Sequence, residues 1–289
     1  MSSSHITAFS TSPSPKTTIT SWHSRLGHLA PPVLKTIVSQ FSLPVSNSTQ
    51  THCNDCSINK SHKLPFYETS IVSGGPLEYL FTDVWTSPLI SVDNYKYYLA
   101  IVDHYTRYTW LYPLKQKSQV KDTFIAFKAL VENRFQSKIR TLYSDNGGEF
   151  IALRQFLSTH GISHMTTPPH TPEHNGLSER KHRHIVETGL SLLTHASIPK
   201  SYWTYAFATA VYLINRMPTS VLSGESPYSK LFKQQPNYLK LRVFGCLCYP
   251  WLRPYTTDKL ENRSAPFVLL GYSLTQSAYF CLEKQSGRI

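Results

Sequence analysis

Three acidic side chains interrupt segments that otherwise have the patterns of strands or of a helix start. Asp83 lies in Phe-Thr-Asp-Val-Trp, Asp145 in Tyr-Ser-Asp-Asn-Gly-Gly-Glu-Phe, and Glu179 in Asn-Gly-Leu-Ser-Glu-Arg-Lys. Two like charges about 4 Å apart repel by roughly 4 kcal/mol at an effective dielectric near 20. A divalent cation removes that repulsion, and two such ions promote phosphoryl transfer. We therefore expect a fold that gathers these acids around metal ions and acts on phosphodiesters.

Each acid also has a simpler explanation. Asp145 could begin a turn, and Glu179 could be an N-terminal helix acid that interacts favourably with the helix dipole. A ligand role is favoured most strongly for Asp83, which lies in an apolar strand-like segment, because burying a charge without a partner is costly. The competing acids are Glu149, Asp103, Glu173 and Glu187, of which Asp103, at the end of an apolar run, is the strongest rival.

The charge balance indicates a polyanionic partner. The 289 residues include 29 Lys and Arg against 17 Asp and Glu, which gives a formal net charge of +12. Nucleic acid is the commonest partner of such a chain, although a protein with a merely basic surface would have the same composition. The hydrophobic content of 40% is sufficient for the cores of two domains.

The five cysteines and the absence of a signal peptide argue against a secreted disulfide scaffold. We therefore expect a reducing compartment, either the cytosol or the nucleus. No stretch approaches the roughly 20 apolar residues of a membrane span, and the apolar run 203–214 predicts a buried helix. We expect neither a membrane partner nor a small-molecule substrate.

Four potential zinc ligands lie within one short stretch of the chain. His23 and His28 are separated by four residues, and Cys53 and Cys56 form a Cys-x-x-Cys knuckle. Two imidazoles and two thiolates complete the tetrahedron that Zn²⁺ prefers. We expect the histidines to lie on one side of a helical turn, and we expect so small a unit to need a metal to fold. The simpler alternative is two surface histidines and two free thiols.

Other histidines and cysteines are weaker candidates. His52 and His62 could substitute as zinc ligands, but neither improves the spacing. Cys246 and Cys248 occupy alternate positions of a strand-like run, and Cys281 lies in another such run. A second metal site is the alternative there, but we favour buried structural cysteines.

After the break at residues 73–76, the pattern predicts a mixed α/β core. Strand patterns cover 79–85, 95–103, 108–113, 138–144 and 162–165, and helical patterns cover 118–134, 150–159, 178–195 and 200–216. This order suits a five-stranded sheet with helices on both faces. Neighbouring strands lie about 4.8 Å apart, so adjacent strands would let Asp83 and Asp145 share a cation.

The composition divides the chain into five predicted segments. They are a disordered linker at 1–20, a zinc-binding unit at 21–68 with one helix at 32–40, a catalytic core at 76–217, an extended linker at 218–241, and a truncated β-rich segment at 242–289. The last segment has strand patterns at 242–251, 266–273 and 278–282. The turn-rich stretch 168–176 predicts a mobile loop.

From about Trp22 onward, the chain resembles the integrase region of copia-type LTR retrotransposon Pol polyproteins. The resemblance rests on the motifs above, beginning with Trp-His-Ser-Arg-Leu-Gly-His and Cys-Asn-Asp-Cys. The stretches His-Thr-Pro-Glu-His-Asn-Gly-Leu-Ser-Glu-Arg-Lys, Tyr-Leu-Ile-Asn-Arg-Met-Pro, Arg-Val-Phe-Gly-Cys and Leu-Leu-Gly-Tyr-Ser match as well. Together these motifs extend over nearly the whole chain.

The resemblance implies a zinc-binding pre-integrase segment, then an RNase H-like integrase catalytic core, then a small β-rich appendage. It implies an enzyme that processes the 3′ ends of element DNA and transfers them into host DNA, with Mg²⁺ or Mn²⁺ and Zn²⁺ as cofactors. The implied partners are element ends, target DNA and further copies of the chain. The implied location is the nucleus, after a cytoplasmic virus-like particle stage.

The same resemblance assigns roles to individual residues. Asp83 and Asp145 would bridge one Mg²⁺, and Asp83 with Glu179 would bind the second. DNA contacts are expected from the loop 168–176 and from polar and basic side chains around the acids: Asn146, Asn175, Arg180, Lys181 and Arg183. A solvated helix face is the alternative explanation for the basic residues.

The chain departs from the family at three places. Residues 86–88 stand where Gly-Pro is common, His182 stands where Asn is usual, and 33 residues (146–178) separate Asp145 from Glu179, two fewer than usual.

Two other functions stay open. A catalytically silent or domesticated nucleic-acid-binding fragment would keep the fold and charge, and an RNase H-type nuclease could share the core, although it would not need the zinc segment.

Overall fold

The computed structural model describes residues 17–46, 53–60, 71–166, 176–253, 260, 262–273 and 278–289. Within these ranges, no helix is both long enough and apolar enough to cross a lipid bilayer. The chain divides into two compact units. Unit 1 comprises 1–61, 187–217 and 237–289, and unit 2 comprises 62–186 and 218–236.

The helices and strands follow one another along the chain in a mixed order. They are α1 (Ile19–Arg25), α2 (Pro31–Gln40), α3 (Asn54–Asn59), β1 (Tyr79–Thr86), β2 (Tyr97–Asp103), β3 (Thr109–Leu114), α4 (Val120–Phe135), β4 (Thr141–Ser144), α5 (Gly148–Ile151), α6 (Arg154–Thr159), β5 (Ser163–Thr166), α7 (Gly176–Ala196), α8 (Trp203–Ile214), α9 (Pro227–Phe232), β6 (Leu247–Cys248), β7 (Phe267–Tyr272) and β8 (Tyr279–Leu282).

Unit 2 contains a five-stranded sheet in the order β3-β2-β1-β4-β5. Strands β1, β2 and β3 are antiparallel neighbours, whereas β4 runs parallel to both β1 and β5. The predicted fold class, a mixed five-stranded sheet with helices, is confirmed. A three-stranded sheet of β6, β7 and β8 likewise confirms the β-rich appendage at the C-terminal end.

Apolar side chains from the sheet and from α4 form the core of unit 2. Phe124 and Phe127 of α4 are almost completely buried and belong to one cluster with Leu80, Leu99 and Leu142 of the three central strands. The buried positions of α4 recur every three to four residues, the spacing of one helix face. This packing fixes the sheet that positions Asp83, within β1, and Asp145, directly after β4.

Unit 1 has a hydrophobic core to which distant parts of the sequence contribute. Trp22 of α1 and Ile37 of α2 are fully buried, and they belong to one cluster with Leu213, Tyr238 and Tyr272. The indole N–H of Trp22 also donates a hydrogen bond to the carbonyl of Pro44 at 3.2 Å. The helices that carry part of the predicted zinc site therefore share their core with residues near the other end of the chain.

The structure differs from the predicted disordered linker at the end of that segment. Thr17 pairs with Val45 in an isolated parallel bridge. The hydroxyl of Thr18 accepts a hydrogen bond from the backbone N–H of Ser21 at 3.1 Å and caps α1. A threonine at this position replaces a backbone partner that the first helical turn lacks. Residues 1–16 lie outside the described part of the chain.

The predicted extended linker at 218–241 also differs from the structure, which contains α9 there. Pro227 occupies the first turn of α9, and the Ser226 hydroxyl caps the helix by accepting a hydrogen bond from the N–H of Ser229 at 3.0 Å. Proline is well suited to a first helical turn because the N–H that it lacks would have no helical partner. Leu231 is buried, so this helix packs as part of unit 2.

Two further predicted elements are shorter or divided. The strand expected over 242–251 is limited to Leu247–Cys248, and Gly245 just before it has a φ of 82° that interrupts an extended run. The helix expected over 150–159 is divided into α5 and α6. Residues 167–175, most of the predicted mobile loop, lie outside the described ranges, and Gly176 already begins α7.

Candidate active site and metal centre

Asp83 and Asp145 lie just beyond the same end of the parallel pairing between β1 and β4. Asp83 is in β1, and Asp145 directly follows β4. The register pairs Phe81 with Tyr143, so each acid lies two residues beyond the last paired position. Both side chains are half-buried. The sheet topology therefore brings together two of the three acids identified from the sequence.

The environment of Asp145 disfavours its negative charge. Burial raises the pKa of Asp145, and the nearby carboxylates of Asp83 and Glu149 raise it further. The backbone N–H of Gly147 donates to Asp145 Oδ1 at 3.0 Å and opposes this shift, as does the ammonium of Lys117. A cation at this position would relieve the repulsion among the carboxylates.

Glu179 lies in the first turn of α7, and its side chain is exposed. His182, three residues later, lies on the same face of the helix, and its Nε2 is 3.2 Å from Asp83 Oδ2. Among the described residues, the three acids do not form a group whose oxygen atoms all lie within 4.8 Å of one another. The structure thus connects the start of α7 to Asp83 through His182.

Asp103, the strongest rival, has a structural role. Its side chain is fully buried. Oδ1 accepts a hydrogen bond from the N–H of Leu77 at 2.9 Å, and Oδ2 accepts from the N–H and the hydroxyl of Thr106 at 2.8 and 2.6 Å. These bonds tie the turn after β2 to the segment before β1, and they leave this carboxylate engaged with protein donors.

The other competing acids have different surroundings. Glu149 forms an ion pair with Lys117 at 2.8 Å and lies close enough to Asp145 to influence its pKa. Sequence reasoning ranked Glu149 only as a competitor, although its position four residues after Asp145 in a turn was a usable signal. Glu187 belongs to unit 1. Glu173 lies outside the described residues.

The candidate DNA-contacting residues are not equally accessible. Arg180 and Arg183 are exposed on α7. Lys181 between them is half-buried, and burial together with the charge of Arg107 lowers its pKa to about 8. Asn146 is exposed, and its Oδ1 accepts a hydrogen bond from the Arg154 guanidinium at 2.8 Å. The two arginines therefore suit phosphate contact better than Lys181. Asn175 lies outside the described residues.

The four predicted zinc ligands converge in unit 1. His23 lies in α1, His28 follows α1, Cys53 caps the start of α3, and Cys56 lies within α3. One potential ligand atom from each residue lies within 4.8 Å of the other three. His23 Nε2 is 3.3 Å from Cys56 Sγ, and His28 Nδ1 is 3.3 Å from Cys53 Sγ. Of the two histidines, which we expected on one side of a helical turn, only His23 is helical. The chain leaves α1 before His28, whose φ is 61°.

This donor set fits a zinc ion. Tetrahedral bonds of about 2.3 Å to sulfur and about 2.0–2.1 Å to nitrogen place the two atoms roughly 3.6 Å apart, close to the separations above. Burial lowers the pKa of His28 to about 3 and also lowers that of His23, so both imidazoles are neutral and can offer a lone pair. Burial raises the pKa of Cys56 to about 11, and a metal would displace its proton.

Three further side chains lie close to the predicted zinc ligands, and the sequence patterns did not indicate them. The Lys60 ammonium donates to the carbonyl of His28. The rings of His195 and His28 are 5.2 Å apart, and His195 Nδ1 lies 3.5 Å from Asp55 Oδ2. His195 comes from the end of α7, so local spacing could not associate it with the site. The alternative ligands His52 and His62 lie outside the described residues.

The remaining cysteines have an apolar environment. Cys248 Sγ lies 3.5 Å from Cys281 Sγ, and both belong to a cluster with Phe267 and Leu269. In the described part of the chain, these cysteines do not take part in any group of three metal-ligating atoms. This arrangement fits structural thiols better than a second metal site.

Three domain families match separate parts of the chain. An integrase core domain matches residues 74–172, a GAG-pre-integrase domain matches residues 1–61, and a retroviral polymerase SH3-like domain matches residues 246–289. The first match contains Asp83 and Asp145, and the second contains the four predicted zinc ligands.

Similar proteins come from plant transposons. The chain is 64% identical over 291 residues to the retrovirus-related Pol polyprotein from transposon RE2 of Arabidopsis thaliana, and 66% identical over 280 residues to that from transposon RE1. The alignments include 100% and 96% of this chain, but the chain spans only about a fifth (20% and 19%) of these relatives.

A solved structure, the HTLV-2 integrase catalytic core domain in complex with magnesium, aligns with 55% of this chain and 99% of its own, at 19% identity and a TM-score of 0.42. The domain matches and the plant relatives lead to one conclusion. The chain carries an integrase core domain, and its resemblance to the integrase region of copia-type retrotransposon Pol polyproteins is confirmed.

Proposed function

We propose that this protein is an integrase that processes the 3′ ends of element DNA and transfers them into target DNA with divalent metal ions. The observation that carries the proposal is that Asp83 and Asp145 both lie two residues beyond the last pair of the parallel strands β1 and β4, within the integrase core domain. Two carboxylates in this position create the local negative charge that a divalent ion needs.

The residues fit Mg²⁺ or Mn²⁺ because these hard cations prefer carboxylate oxygens. Asp83 and Asp145 would bind one ion, and Asp83 with Glu179 would bind the other. Bound in this way, the ions would activate the attacking oxygen and stabilise the leaving oxygen of the phosphodiester. The raised pKa of Asp145 supports this assignment, because burial and the neighbouring carboxylates disfavour its negative charge and a bound cation would favour it.

The side chains next to Glu179 would orient the DNA. Arg180 and Arg183 are exposed on α7, one and four residues after Glu179. Their guanidinium groups would contact phosphate oxygens and hold the backbone near the acids. The net charge of +12 would attract DNA to the protein as a whole.

The second cofactor would be a structural zinc ion bound by His23, His28, Cys53 and Cys56. Four protein ligands fill a tetrahedral coordination sphere and leave no open position for a substrate. The zinc would therefore stabilise the N-terminal helices and take no part in the reaction. We also propose that the enzyme acts in the nucleus as a homo-oligomer, because joining two DNA ends to one target requires two active sites.

Strand transfer on oligonucleotides that match the element ends tests this function. Asp145→Asn preserves the shape of the side chain and removes its charge, so we expect activity with Mg²⁺ to disappear. Binding of the same DNA without metal, measured by fluorescence anisotropy, should be nearly unchanged, and circular dichroism should show an unaltered fold. Full activity in Asp145→Asn would refute the assignment.

A catalytically silent nucleic-acid-binding protein is the alternative, and the net charge of +12 favours it equally. That alternative predicts salt-dependent DNA binding by the wild-type protein but no Mg²⁺-dependent strand transfer. Comparing wild-type and Asp145→Asn protein in both assays separates the two functions.

A further inference from the structure

His182 connects the helix that carries Glu179 to the carboxylate of Asp83. Its Nε2 lies 3.2 Å from Asp83 Oδ2, and its side chain is only 9% exposed. The 3.2 Å contact is electrostatic and does not have hydrogen-bond geometry. Within the described residues, His182 Nε2 has no hydrogen-bond partner. The carboxylate of Asp83 is therefore the polar group with which this nitrogen interacts.

The second nitrogen of His182 has a partner that fixes the ring. His182 Nδ1 lies 2.8 Å from the hydroxyl of Tyr98, which is fully buried in β2. Burial and the negative charge of Asp83 hold the pKa of Tyr98 well above its usual range, so the phenol keeps its proton. A Tyr98 hydroxyl that donates to Nδ1 leaves the N–H of neutral His182 on Nε2, the nitrogen that faces Asp83.

Tyr98 is itself held in place by the sheet. It pairs with Trp85 across β1 and β2, and their rings stack with centroids 5.2 Å apart. The hydroxyl of Tyr98 therefore has a position set by the rigid part of unit 2. The polar series Tyr98, His182 and Asp83 joins β2, α7 and β1.

The other oxygen of Asp83 is held by the backbone. Oδ1 accepts a hydrogen bond from the N–H of Val84 at 2.8 Å. With Oδ2 facing His182, the plane of the carboxylate has contacts at both ends. The remaining lone pairs are the ones available to a cation.

From this geometry we propose that His182 is a positioning residue, which holds the Asp83 carboxylate and the start of α7 in the arrangement that binds the divalent ion. The inference rests on the proposed function, because it assigns Asp83 and Glu179 to the same metal site. Groups that contact metal ligands from outside commonly change metal affinity by about 10–100-fold when they are removed. His182 occupies this position relative to Asp83.

Four substitutions test the proposal in zinc-loaded protein, with Mn²⁺ as the probe. His182→Ala removes the contact, and His182→Gln keeps a donor and an acceptor of similar reach. Tyr98→Phe removes only the hydroxyl that fixes the ring. His184→Ala is the matched control, because His184 is exposed on the same helix. Mn²⁺ binding is measured by the loss of the free-ion electron paramagnetic resonance signal, with Asp83→Asn to define binding outside the site.

We expect His182→Ala to weaken Mn²⁺ binding by about 10–100-fold. Tyr98→Phe should weaken it by less, His182→Gln should restore most of it, and His184→Ala should leave it unchanged. Melting of the zinc-loaded proteins without added Mn²⁺ reports any purely structural effect, because a packing defect would lower the melting temperature without a selective loss of Mn²⁺ affinity. Wild-type Mn²⁺ affinity in a folded His182→Ala protein, or equal losses in the alanine and glutamine variants, would overturn the proposal.

The same series separates this inference from the proposed function. Wild-type protein that binds Mn²⁺ at Asp83 but transfers no DNA strand would refute the integrase function, and the variants would still decide the role of His182. Wild-type protein that binds no Mn²⁺ at Asp83 would overturn both proposals.

Discussion

Gly189 of α7 lies against Phe207 of α8, and the consequence of Gly189→Ala follows from this contact. A Cβ at position 189 would lie 2.2 Å from Cδ1 and 2.7 Å from Cε1 of the Phe207 ring. Carbon atoms in ordinary contact are about 3.5–4.0 Å apart, so the ring would have to move by more than 1 Å. Phe207 is 1% exposed and also packs against Trp203 at 5.5 Å between centroids, which leaves it little room.

Two effects of opposite sign then determine the stability. Alanine in place of glycine favours a helix by about 1 kcal/mol, whereas overpacking a core costs about 1–3 kcal/mol. The overlap of more than 1 Å with a buried ring places the packing cost in the upper part of that range, about 2–3 kcal/mol. After the helix gain of about 1 kcal/mol, we expect a net loss of about 1–2 kcal/mol. At about 2–4 °C per kcal/mol for a chain of this size, the melting temperature should fall by roughly 2–8 °C.

Thermal melts followed by circular dichroism measure this change. Gly148→Ala is the control, because Gly148 is also helical but an added Cβ meets nothing within 4 Å, so its melting temperature should stay constant or rise. Gly189→Ala combined with Phe207→Leu should lose less stability than the sum of the two single variants. A Gly189→Ala protein that melts at or above the wild-type temperature would refute the steric argument.

Two further predictions concern the zinc site and the response to acid. Cys56→Ser removes one of four ligands, so bound zinc, measured by atomic emission, should fall from about one ion per chain to nearly none, and undiminished zinc would show that other residues bind it. His104 is buried, and burial lowers its pKa to about 4. The unfolded chain therefore takes up a proton below about pH 6.5 that the folded protein excludes until about pH 4, so stability should decrease as the pH falls through this window, by on the order of 3 kcal/mol. His104→Gln should reduce the slope of unfolding free energy against pH between 6.5 and 4, and an unchanged slope would contradict this account.

Local sequence patterns were sufficient for the elements of the core. Apolar runs of the right length predicted the strand that carries Asp83 and the strand that ends just before Asp145. The helical spacing of Phe124 and Phe127 predicted the buried face of α4. Short spacings also predicted the four potential metal ligands His23, His28, Cys53 and Cys56, which the structure brings together. These features need little information from outside their own segments.

Contacts between residues far apart in the sequence could not be predicted from local patterns. His182 and Tyr98 are 84 positions apart, and only the packing of α7 on the sheet brings them together. His195, near the end of α7, likewise approaches His28 only through the tertiary packing of unit 1. The prediction of an extended linker around Pro227 is wrong, because a proline pattern alone cannot distinguish an extended segment from the first turn of a capped helix.

The shared core of unit 1 has a consequence for the order in which the chain can fold. Trp22 and Ile37 emerge from the ribosomal exit tunnel long before Leu213, Tyr238 and Tyr272, with which they form one cluster. Leu213 follows Ile37 by 176 positions, and Tyr272 follows Trp22 by 250. At about 5–20 residues per second, these separations correspond to roughly 9–50 s of synthesis. During that interval the apolar faces of α1 and α2 lack the partners that cover them in the finished protein. Early binding of zinc by His23, His28, Cys53 and Cys56 would hold these helices together until residues 213–272 have been synthesised.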